Sequence, residues 1–75
     1  MRTDYLKFVQ WNDEDNLYIG YCPDLFIGGA CHGKDESKVY AELCRLVADD
    51  LRQRRREKQP LPRREAIVAL TVISQ

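Results

Sequence analysis

No stretch of the sequence reaches the eighteen or so apolar residues that a membrane-spanning helix needs. The first residues, Met1 to Lys7, lack the apolar run of a signal peptide, so the reading is a cytoplasmic protein with reduced thiols. Cysteine is scarce and odd in number, three in all, which argues against a disulfide framework. There is one histidine, too few for the paired imidazoles of many metal sites. Net charge is absent too: twelve basic residues balance twelve acidic ones. With 75 residues the chain makes one domain, residues 1–75, around one small core. Chains of this size are marginal alone and often depend on association, metal or disulfides.

What is present is unevenly placed. Residues 1–50 hold ten acids and five bases, and residues 51–75 hold seven bases and two acids. The basic residues are Arg52, Arg54, Arg55, Arg56, Lys58, Arg63 and Arg64. Such a block fits phosphate or an acidic partner. It equally fits the solvated end of a helix, where the helix dipole favours cations by ~0.3–1 kcal/mol each.

Residues 5–11, YLKFVQW, are aromatic and branched and read as a strand. Residues 12–16, NDEDN, read as a turn, and residues 17–22, LYIGYC, as a second strand completing an antiparallel hairpin. Pro23 has no amide hydrogen and ends that strand. Residues 26–32, FIGGACH, suggest a third strand, with a bulge at Gly28 and Gly29. Asp35 is a helix N-cap, and Val39, Leu43, Leu46, Val47 and Leu51 recur at helical spacing. The predicted helix spans about 36–58 and stops before Pro60 and Pro62. The continuous apolar run AIVALTVI predicts a final strand at about 66–73. The order is β-β-β-α-β, an α+β domain with one helix on one face of its sheet.

The strands carry apolar groups on both faces. Phe8 opposes Val9 and Trp11, and Ile19 and Tyr21 oppose Tyr18 and Cys22. One helix covers only one face. Strict alternation would have put polar residues on the other. The uncovered face or a strand edge is therefore expected to meet another chain, with Ile67, Ala69 and Ile73 as a possible oligomer interface. The plainer alternative is a patch that stays exposed.

Reactive chemistry finds little support. Cys22 and Cys31 lack the close pairing of zinc ligands, and Cys31 and His32 are strand neighbours that point to opposite faces. Cys44 falls in the helix. A cysteine nucleophile would have only His32 as a base, with no third group to orient it. Asp4, Asp24, Asp35 and Glu42 form no clear pair for a carboxylate–metal nuclease. No catalytic residue, metal site or cofactor is assigned.

One ordered set of residues is more specific. Tyr18, Tyr21, Pro23, Asp24, Leu25, Gly33, Asp35, Ala41 and Leu43 lie within YIGYCPDL, HG and VYAELCRLV. At these spacings the chain resembles the HicB antitoxin family over roughly residues 3–62. The resemblance implies a truncated ribonuclease-H-like β-β-β-α-β core without that fold's catalytic carboxylates. It also implies binding and inhibition of a small mRNA-cleaving toxin of the HicA type, by a dimer or tetramer. Three departures stand out. The chain ends at Gln75, soon after the final predicted strand, so the DNA-binding domain of many relatives is not expected. FIGG stands where Pro-Gly-Cys is common, and Lys38 stands where a capping-box acid is common. The alternatives are a nucleic-acid-binding module on the basic 52–64 segment, or an orphan HicB-like oligomer without a toxin.

Overall fold

The computed structural model describes residues 5–63 and residue 65. Within them the order is β1 (Phe8–Asn12), β2 (Leu17–Tyr21), β3 (Cys31–Gly33) and α1 (Glu36–Arg56). The three strands form an antiparallel sheet in the order β1-β2-β3, and α1 packs on one face. The domain is a small α+β unit. The final strand expected at 66–73, with Ile67, Ala69 and Ile73, lies outside the described residues, as does Arg64.

The hairpin closes through its two asparagines. Asn12 Oδ1 accepts the Asp15 amide at 2.9 Å, and Asn16 takes a left-handed conformation, φ 53°. Asparagine suits both roles, because its short amide bonds nearby backbone and tolerates positive φ. Phe8 then faces Tyr21, and Asn12 faces Leu17.

The third strand is shorter than predicted and starts later. Residues 26–30 form a loop. The Cys22 carbonyl accepts amides from both Leu25 and Phe26, at 3.0 and 2.9 Å, which turns the chain sharply after Pro23. Gly28 continues the excursion at φ 74°. The ladder resumes only when the Ala30 amide reaches the Gly20 carbonyl at 2.8 Å. The first strand also starts later than expected. Tyr5 is not a strand residue but a buried plug whose hydroxyl donates to the Pro62 carbonyl. That bond returns the segment after the helix to the start of β1.

Asp35 opens the helix, its Oδ1 accepting the Lys38 amide at 3.0 Å. Such a cap contributes about 1 kcal/mol. The helix ends at Arg56, two residues before the predicted end. Gln59 donates to the Arg54 carbonyl and Lys58 to that of Arg55, with Lys58 left-handed at φ 57°. This is a Schellman stop with lysine where glycine is usual.

Val39, Leu43, Val47 and Leu51 are the helix's buried side, one residue per turn. Leu43, Val47 and Leu51 join Tyr5 and Cys22 in the core, and Leu25, Phe26, Ala30 and Cys31 pack around them. The helix packs over Gly20 through Leu43. A Cβ there would lie 2.9 Å from Cys31 Sγ and 3.4 Å from Leu43 side-chain atoms. Gly20→Ala is therefore expected to cost about 1–3 kcal/mol by overpacking. Adding Cys31→Ala should return part of that loss, since it removes the nearest atom. Denaturant melts of both single variants and the double variant check this. Purely additive costs would contradict the contact.

Candidate functional site

Strand alternation divides the sheet cleanly. Val9, Trp11, Tyr18, Gly20 and Cys31 share the helix side. Phe8, Gln10, Leu17, Ile19, Tyr21 and His32 share the other, which no described element covers. On that open face the rings of Phe8 and Tyr21 stack, with centroids 5.0 Å apart and planes 23° apart. Beside them a shallow cleft of about 480 Å³ runs past Leu17, Ile19, Gly29 and His32. Gly29 is packed tightly against it, since a Cβ there would fall 2.6 Å from Ile19 Cγ2. At the tip of the preceding loop Ile27 is fully exposed.

Apart from Ala41 and Leu43 in α1, the residues behind the family resemblance fall into four places. Tyr21 lies on the open face. Tyr18 lies on the helix side, edge-on to Trp11 at 5.0 Å. Pro23, Asp24 and Leu25 make the turn that follows β2, with Pro23 exposed and Leu25 resting on the core. Gly33 and Asp35 form the step into the helix. A Cβ at Gly33 would come 3.1 Å from Val39 Cγ2. Most of the set thus shapes the backbone, and Tyr21 alone of it presents a side chain on the open face. Ile27 was hidden from sequence reasoning by its placement in a predicted strand. Its signal was position: a large apolar residue between a proline turn and a Gly-Gly pair.

The thiols are separated. Cys22 is fully buried in the core, and Cys31 points toward the helix with Sγ 3.5 Å from the Val39 carbonyl. His32, its neighbour, is exposed on the opposite face. Burial pushes the Cys22 and Cys31 thiols up from the ordinary 9.0. Among the described residues no three His, Cys, Asp or Glu side chains gather as a metal-ion cluster. No helix among them is long and apolar enough to cross a membrane.

The basic segment is only partly a surface of free charge. Arg54 Nε donates to Asp50 at 2.7 Å, and Arg52 Nη1 pairs with Asp49 at 3.2 Å. Arg55 and Arg56 are exposed with no acidic partner among the described residues, and Lys58 and Arg63 are also exposed. Helical spacing puts Arg52, Arg55 and Arg56 on one side and Arg54 on another.

Two outcomes follow. Cys22 should react with a maleimide far more slowly than Cys44 in the native chain, and at the same rate in denaturant, as read by mass spectrometry of peptides. A raised thiol pKa favours the folded state below 9.0, and that contribution is lost as pH rises above it. Melting temperature should therefore fall through the alkaline range. Separately, Arg55→Gln with Arg56→Gln should change stability by less than about 0.5 kcal/mol. If these arginines contact phosphate, the same change flattens the salt slope of RNA binding by roughly one unit per lost contact. A slope that stays the same removes them from any such interface.

No family model, curated protein or solved structure matches the chain.

Proposed function

We propose that the chain is a HicB-like antitoxin-type protein. It binds and neutralises a small mRNA-cleaving toxin of the HicA type in the cytoplasm, as a dimer or tetramer, by contact rather than by catalysis. The observation that carries this reading is the open sheet face. Stacked Phe8 and Tyr21, with Leu17 and Ile19, form an apolar surface that no described element covers. An inhibitor needs such contact area and no reactive group. Aromatic residues at the centre of an interface carry much of its binding energy. The strand, Pro-Asp-Leu turn and Asp35-capped helix also follow one another as the family resemblance requires, and the finer ribonuclease-H-like assignment belongs to the same proposal.

The alternative, a nucleic-acid-binding module on residues 52–64, has less behind it. Two of its four helix arginines are held by Asp49 and Asp50. Stacking platforms for single-stranded bases need aromatics beside the basic track. The segment from Leu51 to Arg63 contains none.

The test is inhibition of a HicA-type ribonuclease expressed from a reading frame adjacent to this chain's own, and the lack of any such frame would also count against the proposal. Equimolar protein should bring RNA cleavage to background. Ile19→Lys and Tyr21→Lys should weaken inhibition by about tenfold or more, with unchanged circular dichroism. Cleavage that continues undiminished at molar excess of the chain would defeat the proposal.

A further inference from the structure

The loop between β2 and β3 holds one apolar residue that the core leaves out. Leu25, Phe26 and Ala30 pack against the core cluster. Ile27, between them, is 104% exposed, whereas the next most exposed large apolar side chain among the described residues reaches 46%.

The backbone sets this exposure. The Cys22 carbonyl accepts the amides of Leu25 and Phe26, which fixes the first half of the loop. The Ala30 amide returns to the Gly20 carbonyl at 2.8 Å, which fixes the second half. Between them Gly28 takes φ 74°, although a Cβ there would meet nothing within 4 Å. Glycine thus serves the conformation of the tip and not a shortage of space. Gly29 then comes against the sheet, where a Cβ would fall 2.6 Å from Ile19 Cγ2. That contact joins the Ile27 loop to the face that carries Ile19 and the stacked rings of Phe8 and Tyr21.

Such a side chain is prepared for binding. Isoleucine is branched at Cβ and has few rotamers to lose. A tip held on both sides by hydrogen bonds and core contacts loses little further freedom when it docks. Most of the energy of a protein interface comes from a few side chains seated in desolvated pockets. A lone isoleucine offers too little apolar area to hold a membrane.

We propose, resting on the antitoxin reading, that Ile27 is an anchor seated in an apolar pocket of the ribonuclease partner that covers the neighbouring sheet face. Seating one preformed side chain slows dissociation and leaves the rate of encounter alone.

The test measures binding of the full chain to a HicA-type ribonuclease expressed from an adjacent reading frame, by surface plasmon resonance. Ile27→Ala should dissociate about tenfold faster or more, at an unchanged association rate. Ile27→Val, one methylene shorter, should dissociate about fourfold faster. Neither variant should shift the melting temperature, because the side chain is fully exposed. If the native chain binds and Ile27→Ala binds equally well, the anchor is overturned and the antitoxin reading stands. If the native chain does not bind, the antitoxin reading falls and the anchor with it. Light scattering of the native chain alone, at micromolar concentration, gives the remaining outcome. A mass of two chains that Ile27→Ala halves would assign Ile27 to a second copy of this chain and overturn its seat in the ribonuclease.

Discussion

The close approach of the helix to Gly20 governs the rest of the structure. With no side chain at Gly20, the middle strand leaves room for Leu43 of the helix and Cys31 of β3 to close over it. A single added carbon at Gly20 would press on Cys31 of the neighbouring strand and touch Leu43 of the helix. This contact lies on the face that becomes the core. Once it is chosen, strand alternation sends Cys22 inward and Ile19 and Tyr21 outward. The Cys22 carbonyl, held inside, then anchors the turn that returns the chain to β3.

Much of this was legible in the residues. The hairpin declares itself in two aromatic, branched runs around NDEDN. The helix declares itself in Asp35 and a four-residue apolar repeat. Both are local patterns, and local patterns survive folding when the core agrees with them. The third strand was not legible, because its apolar residues are used differently. Phe26 and Ala30 pack on the core from a loop, and Ile27 faces solvent. A run of apolar residues cannot distinguish a buried strand from a loop crossing a core edge. Tyr5 misled for a similar reason: its ring fills the core while its hydroxyl finds the Pro62 carbonyl, 57 residues away. No pattern within a few residues of Tyr5 encodes that partner.

The surface was legible as a count and not as a location. Apolar residues on both faces of two strands, with one helix to cover them, required an open patch. Both faces of β1 and β2 carry apolar residues, so periodicity could not say which one the helix covers. A cleft beside Tyr40 was less visible still. Val9 belongs to β1 and Tyr40 belongs to α1. Val9 and Tyr40 line one cleft because the helix lies nearer β2 and β3, and no described element covers the β1 flank.

Charge adds direction to these surfaces. Along the exposed side of the helix Glu42, Arg45, Asp49 and Arg52 pair in succession. Exposed pairs of this kind contribute ~0–1 kcal/mol, so they explain little of the stability. Their consequence is electrostatic. They neutralise the middle of the helix and leave unbalanced charge at its ends. Acids collect in the 13–15 turn and at Glu36, while Arg55, Arg56 and Lys58 collect a helix length away, about 30 Å. Lys34, whose ammonium bonds the Asn16 carbonyl, ties the acidic turn to the start of the helix. Among the described residues, acids thus predominate in the 13–15 turn and bases at the end of the helix. Such a field orients a charged partner before contact and favours one approach over its reverse. The open apolar face gives area without direction, and the charged ends give direction with little area. A chain of this size can bind selectively by combining the two.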